Sequence, residues 1–371
     1  MQACNILIVG GGIGGLTSAI ALRRDGHRVA IIEKDPTWSV YGVGIIQQAN
    51  VIRAMNHLGL LQDYLDAGVG FDGVAIHAPD GQLVAKVPAP RLVEGAPANV
   101  GIGRRALHKV LGDRAKGSGA EIRLGVTADA FDDDGMGVTV RFSNGREERF
   151  DIVVGADGVY SATRDLLMPD AERPEFTGQS VWRYNFERPQ DLDDLHIYNG
   201  PTGVGLVPIS PTLMYMYVTT PEPGNPRYPK NGLAAAMRSK LGGCAPAIRA
   251  LAEQITNDDD VVYRPLEGML LKGPWHKGRI VLQGDAVHAT TPHLGQGAGM
   301  AIEDSIVLAE EITRHDTPEH AFTAYRSRRY ERCRYIVESS LAICHGQIGK
   351  AAPVDNHHAT EEMFAVTAEP I

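Results

Sequence analysis

Residues Asn5-Ile-Leu-Ile-Val9, then Gly10-Gly-Gly-Ile-Gly-Gly15, then Leu16-Thr-Ser-Ala-Ile-Ala-Leu-Arg-Arg24 decide the fold. The first run is short, apolar and rich in β-branched residues, the pattern of a strand buried on both faces. The last reads as a helix with an apolar face that stops near Asp25-Gly26. A second buried strand, Arg28-Val-Ala-Ile-Ile32, closes on Glu33, so one βαβ unit occupies the start of the chain. The glycines between strand and helix have separate jobs. Gly10 permits the tight turn, Gly12 lets backbone approach a pyrophosphate, and Gly15 lets helix pack on strand. The helix start supplies free N–H groups and positive dipole. An acid at Glu33 suits the ribose hydroxyls of an unphosphorylated adenosine, as in FAD or NAD.

Two more strand-to-glycine signals follow. Asp151 to Gly155 runs into Ala156-Asp-Gly158, and Arg279-Ile-Val-Leu-Gln283 runs into Gly284-Asp285. A glycine-rich turn, Leu294-Gly-Gln-Gly-Ala-Gly299, opens the helix from Gln296 to Arg314. Between these signals, Thr177 to Thr220 is rich in Tyr, Trp, Val and Pro with period-two stretches, and Pro221 to Gly232 is a Pro/Gly loop. The expected organisation is a nucleotide-binding domain from 1–72, 100–175 and 271–345, a sheet-based substrate domain from 73–99 and 176–270, and a tail from 346–371. Asp80-Gly81 and Ser143-Asn-Gly145 read as hairpin turns. Residues 43–65 read as helical, as do 233–254 and 321–348. The tail carries no motif and is expected to pack on a dimer partner.

Composition narrows the function. The 371 residues carry a net charge of −9, against a broad nucleic-acid or anionic-membrane binding surface. Glycine is abundant, at 42 residues, as tight turns and close backbone approaches require. The four cysteines form no Cys-x-x-Cys pair, and no apolar run reaches the roughly 18 residues of a spanning helix. A reducing cytoplasm is the expected location. No metal site is expected: His288 and His293 lie in a loop, not at helical i, i+4 spacing.

The motif set resembles a family. Gly10–Gly15 with Glu33, then Gly155-Ala-Asp157-Gly158, then Gly284-Asp285-Ala286 with Pro292 and Gly295-Gln-Gly297, are similar in kind and order to the fingerprints of the class A flavoprotein monooxygenases, single-component FAD-dependent aromatic hydroxylases. The nearest-looking branch contains 6-hydroxynicotinate 3-monooxygenase, salicylate hydroxylase and urate hydroxylase. The resemblance implies an α/β fold, with a Rossmann-like FAD-binding domain, an inserted antiparallel-sheet substrate domain as in para-hydroxybenzoate hydroxylase, and C-terminal helices. It implies FAD as cofactor, NAD(P)H as transient reductant, and O2 and a small phenolic or N-heteroaromatic, carboxylated ring as substrates. A flavin C4a-hydroperoxide would deliver the hydroxyl. The assembly would be a monomer or homodimer.

Residue by residue, the resemblance puts Gly10, Gly12, Ile13, Gly14, Gly15, Glu33 and Lys34 at the ADP half of FAD. Arg104 goes to the pyrophosphate, with neighbouring Arg105 able to take its place. Asp285 goes to the ribityl or pyrophosphate region, and Gly44, Pro292, Gly295, Gln296, Gly297 and Ala298 lie along the flavin. Asp157 and Gly158 match a motif assigned to both FAD and the nicotinamide cofactor; a helix cap is an equal reading of Asp157. Tyr215, which alternation places on one face with Leu213 and Tyr217, matches a tyrosine at the substrate hydroxyl, or is a packed sheet residue. Arg183 is a partner for a substrate carboxylate or the flavin, or a surface arginine. His293 and Gln47 complete the catalytic candidates. His288 is the more structural histidine. Arg326, Arg328, Arg329, Arg332 and Arg334 read as a solvated helix face. A reductase on the same scaffold and a non-catalytic flavin-binding protein are the alternatives. A halogenase is disfavoured, since Trp38, Trp182 and Trp275 sit in no Trp-x-Trp-x-Ile-Pro context.

Overall fold

A computed structural model describes residues 1, 3–40 and 42–371. The three glycine turns belong to one six-stranded sheet. From Glu121–Leu124 it runs through Arg28–Glu33, Asn5–Val9, Ile152–Gly155 and Ile280–Leu282 to the short His276–Lys277. All neighbours are parallel except the last pair. Parallel strands end at one edge, and here the register is in step: Val9 pairs with Gly155, and Gly155 with Leu282. The turns after these three residues are therefore side by side, at the carboxyl edge where such sheets bind ligands. Ile6, Leu7 and Ile8 are completely buried, each contributing about 1.5–3 kcal/mol by burial.

A seven-stranded sheet stands over that edge. Its order is Val262–Gly268, Glu175–Glu187, Leu213–Pro221, Gly203–Pro208, Leu195–Tyr198, Gly73–His77 and Leu83–Pro88. Neighbours are antiparallel except Leu195–Tyr198 with Gly73–His77. One face packs on its own cluster, with Trp182, Met216 and Met237 fully buried. The other face looks toward the glycine turns. Two three-stranded sheets complete the β structure described: Gly44–Gln47, Asn99–Gly103 and Gly68–Phe71 in one, and the hairpins of Ala128–Phe150 in the other.

Four expectations need correction. Residues 43–65 are not one helix: Gly44–Gln47 is a strand, followed by helices Ala49–His57 and Leu61–Asp66. Apolar Ile45 and Ile46 fit either period, and pairing with Asn99–Gly103 settles it. Residues 233–254 are two helices, Leu233–Lys240 and Pro246–Ala252, divided where Gly242-Gly243 and Pro246 interrupt helix propensity. The tail holds a helix, Asn356–Ala368, docked on its own chain against Ala49–His57, Leu83–Pro88 and the long helix Pro318–Gln347. Arg53 donates to the carbonyls of Ala368 and Glu369, both at 2.8 Å, and holds it there. Finally, Arg329 is not solvated. It is fully buried, bonded to Asp304 and Glu303 at 2.8 Å each. Arg334 alone fits the expected surface pattern, pairing with Glu331 and Glu338.

Candidate functional site

The glycine geometry separates packing from access. Gly10 has φ +111°, and a Cβ there would lie 2.4 Å from the Ala156 carbonyl oxygen of the neighbouring turn. A Cβ on Gly15 would lie 1.9 Å from the Gly10 oxygen. A Cβ on Gly12 would meet nothing within 4 Å. So Gly10 and Gly15 are required by the protein's own contacts, whereas Gly12 faces open space. Helix Ile13–Arg24 starts on Gly12 with no side-chain cap, and helix Gly297–Arg314 starts on Gln296 in the same way. The first N–H groups of both helices are thus left for something else to satisfy.

Both starts open on one cavity of about 590 Å³ that extends from Glu33 to the seven-stranded sheet. At one end, the Glu33 carboxylate is fixed by the N–H groups of Gly11 and Asp35, each at 2.9 Å. Trp38 and His108 both bond the Gly11 carbonyl and meet edge to face, 4.8 Å between centroids. In the middle stand Gly284, Asp285 and Arg104. The Arg104 guanidinium makes no hydrogen bond or ion pair among the described residues, although its backbone N–H donates to the Val43 carbonyl at 3.0 Å. Burial lowers its pKa, against the pull of Tyr215 and Asp285. Asp285 is exposed to the open cavity, and desolvation by its surroundings pushes its carboxyl up, against His288 and Arg104.

The far end is set by strand register. Val181 pairs with Arg264 and Thr219, Arg183 with Tyr217, and Asn185 with Tyr215, so alternate residues of three strands share the cavity face. Val181, Arg183, Tyr215, Tyr217, Arg264 and Leu266 all line the cavity. Opposite them are Gly44, Ile45 and Ile46, and the turn Thr290–Ala298. Tyr215 packs flat on Gly44, where a Cβ would fall 2.3 Å from the ring. Burial, with Arg104 adding repulsion, brings Arg183 down to about 10, and burial pushes the Tyr215 phenol up to about 12.

The comparisons meet this geometry directly. A family profile described as FAD binding domain matches residues 3–340. The chain belongs to the FAD-binding domain family. It is 33% identical to the aurachin C monooxygenase/isomerase of Stigmatella aurantiaca, over 93% of this chain and 89% of that one. It is 30% identical to the 6-hydroxynicotinate 3-monooxygenase of Bordetella bronchiseptica, over 89% of each. The crystal structure of Klebsiella pneumoniae HpxO complexed with FAD and uric acid has the same fold, with TM-score 0.82 and 24% identity, over 99% of this chain and 93% of that one. The cofactor is FAD, and the cavity suits it. An open glycine, two uncapped helix starts and an unpaired arginine lie between a fixed carboxylate and an aromatic-lined end, in the order a dinucleotide with a terminal ring requires.

Of the residues singled out in the sequence, Gly12, Ile13, Gly14, Glu33, Gly44, Arg104, Gly158, Arg183, Tyr215, Asp285, Pro292, Gly295, Gly297 and Ala298 line this cavity. Arg105 is exposed and does not line it. Other candidates stand elsewhere. Lys34, beyond the strand end, is exposed outside the cavity. Asp157 caps helix Ala162–Leu167: its two oxygens accept from Ser161 Oγ at 2.5 Å and Thr163 N–H at 2.9 Å. Gln296 is buried, bonded to Gln48 and Asn50. Gln47 is 1% exposed, and its amide donates to the Ile46 carbonyl. It does not line the cavity, although the adjacent Ile45 and Ile46 do. His293 lies behind Pro292, with Nδ1 2.9 Å from Thr291 Oγ1 and Nε2 3.1 Å from Gln347 Oε1. Both ring nitrogens are occupied, and burial pushes its pKa down to about 4, so it is neutral at pH 7.

Arg264, Trp38 and His108 also line the cavity, and none was legible as a site residue. Arg264 sits in Val-Tyr-Arg-Pro-Leu, and only pairing with Val181 turns it inward. Below the cavity, His288, Asp304 and Cys333 offer ligand atoms within 4.8 Å of one another. Asp304 already bonds His288 at 2.6 Å and Arg329 at 2.8 Å.

Proposed function

We propose that this protein is an FAD-dependent hydroxylase that consumes NAD(P)H and O2 and acts on a small phenolic or N-heteroaromatic ring bearing a carboxylate. One observation carries the reading. At the sheet end of the cavity, Arg183 and Arg264, which pair with no carboxylate among the described residues, stand with the phenols of Tyr215 and Tyr217 on walls otherwise formed by Val181, Leu266, Ile45 and Ile46. Burial of the Arg183 guanidinium without an anion is costly, and a bound carboxylate removes that cost, while exposed Arg264 adds positive charge. Flat apolar walls suit an aromatic ring, and the phenols suit its hydroxyl or ring nitrogen. Relatives named for 6-hydroxynicotinate and aurachin C support the same substrate class.

Bound FAD supplies the transfer of electrons from the nicotinamide to O2 and of one oxygen atom to the ring. The chain's own residues hold and orient. Gly10 and Gly15 fix the turn, and the amides after Gly12, at Ile13 and Gly14, receive the pyrophosphate together with Arg104. Glu33 takes ribose hydroxyls, and Asp285, beside Gly158, faces the linking chain. Gly44, Pro292, Gly295, Gly297 and Ala298 border the flavin ring, where helix-start amides stabilise negative charge on it. Arg183 anchors the substrate carboxylate. Tyr215, protonated at neutral pH, orients the ring hydroxyl and relays its proton. The roofing sheet excludes water.

No helix among the described residues is long and apolar enough to cross a membrane. The reading includes a cytoplasmic monomer or homodimer. The test is a panel of hydroxybenzoates, 6-hydroxynicotinate, hydroxyquinolones and urate, given to the FAD-loaded protein with NADH or NADPH in air. At least one member is expected to raise nicotinamide oxidation about tenfold or more and to gain one oxygen by mass. If no member stimulates oxidation, or oxidation proceeds with no oxygen in the product, the hydroxylase reading is overturned.

A further inference from the structure

The cavity face of the seven-stranded sheet has a gap beside Tyr217. Strand Gly203–Pro208 carries glycine at two successive inward positions, Gly205 opposite Tyr217 and Gly203 opposite Thr219. The Tyr217 ring lies directly over Gly205, where a Cβ would fall 2.1 Å from Cε1 and Cζ. Beyond the ring, a second cavity of about 40 Å³ opens along Gly203, and Tyr217 and Pro292 line both cavities. The ring is therefore the partition between them.

The two compartments differ in chemistry. The first holds Arg104, Arg183, Arg264 and Asp285. The second is lined by no Asp, Glu, Lys or Arg, and its polar groups are neutral: Thr219, Gln347, Asn356, Thr360 and the bonded His293. Gln347 Oε1 already accepts from Gln179, Thr219 and His293, while its Nε2 has no acceptor among the described residues. At roughly 10–15 Å³ per water-sized probe, the chamber holds about three such atoms.

Resting on the hydroxylase reading, we propose that Tyr217 sets the substrate's size limit: it confines an anionic single ring to the arginine side, and behind it lies a subsite for a short neutral ring substituent ending in a hydroxyl or amide. Shortening Tyr217 joins subsite to cavity, while a charged substituent stays excluded for want of a counter-charge.

The experiment uses FAD-loaded wild-type protein, Y217F, Y217A, Y217V and the double variant Y217A/T360L. Each is titrated with 3-hydroxybenzoate, 6-hydroxynicotinate and the hydroxymethyl derivative of each, and the change in the flavin absorption spectrum gives Kd without turnover. Wild type and Y217F are expected to bind the parent acid at least tenfold tighter than its derivative. Y217A, or Y217V if the alanine form does not retain FAD, is expected to reduce or reverse that preference by about tenfold or more. Thr360→Leu, refilling the chamber from the C-terminal helix, is expected to restore it. The proposal is overturned if the truncated forms keep the wild-type preference within twofold, or if the double variant keeps the full gain. If none of the four compounds perturbs the flavin in any form, this inference is overturned, whereas the hydroxylase reading falls only if the wider substrate panel also fails.

Discussion

Gly12 and Gly15 are three residues apart in one motif, yet the structure assigns them opposite responses to the same substitution. In Gly15→Ala the new Cβ starts 1.9 Å from the Gly10 carbonyl oxygen, where ordinary contact begins at 3.4 Å. Strand and helix must separate by 3.4 − 1.9 = 1.5 Å at this point. Overpacking of that kind costs about 1–3 kcal/mol in a well-packed site, and the upper end applies because backbone, not a side chain, must yield. In Gly12→Ala the Cβ meets no protein atom, and the backbone, at φ −80° and ψ −172°, suits alanine. The loss of a favourable cap residue, about 0.5–1 kcal/mol, is offset by a similar gain from stiffening the unfolded chain. FAD responds the other way. The methyl of Gly12→Ala stands where the pyrophosphate meets the helix start, and losing two charge-assisted bonds of about 1.5–3 kcal/mol each weakens binding about 10²–10⁴-fold. Apoprotein melting and FAD titration by fluorescence quenching test the pair. Gly12→Ala should melt within a degree or so of wild type and lose FAD; Gly15→Ala should melt several degrees lower. Wild-type FAD affinity in Gly12→Ala, or equal destabilisation in both, refutes the reasoning.

Arg183→Met is expected to raise the KM for a carboxylated substrate about tenfold to a hundredfold through loss of a charge-assisted hydrogen bond, with FAD affinity unchanged; steady-state kinetics showing less than a threefold change would remove its anchoring role. Arg329→Met should destabilise the fold by about 3–5 kcal/mol in denaturant melts, because it strands Asp304 and Glu303 in the interior. Burial raises the Asp304 pKa, but His288 and Arg329 outweigh it and bring it from 3.8 down to about 2. Its contribution is therefore present above about pH 4 and lost as pH falls toward 2, and Asp304→Asn should flatten that acid limb in melts run against pH. His293 has the depressed value of a base buried neutral: between pH 6.5 and about 4 the unfolded chain takes up its proton and the folded chain does not, so stability falls with pH across that window. His293→Gln should lessen this slope and leave the kcat profile from pH 6 to 9 without a lost inflection.

Much of the binding end was legible because its chemistry is local. Strand, glycine turn, helix and closing acid lie within residues 5–33, and each glycine's role follows from its place in the turn. The convergence of the three turns follows from parallel pairing, which buried apolar runs at 5–9, 152–155 and 280–282 already imply. The substrate end was harder because facing depends on register. Gln47 and His293 carry the right functional groups, but Gln47 is buried with its amide on the Ile46 carbonyl and a short helical turn puts His293 behind Pro292. Arg264 is the converse, an unremarked residue that cross-strand pairing with Val181 brings to the cavity. Arg329 shows the limit of charge patterning. An arginine among arginines reads as surface, and only the facing Glu303 and Asp304, on the preceding helix Gly297–Arg314, pull it inside.

The most direct measurement is a crystal structure of the protein loaded with FAD. The account predicts the pyrophosphate within hydrogen-bonding distance of the Ile13 and Gly14 amides and of Arg104, the ribose at Glu33, and the flavin ring between the Gly295–Ala298 turn and the sheet face that carries Arg183 and Tyr215. A flavin ring outside that space, or a pyrophosphate bound away from the Gly12 helix start, would contradict it.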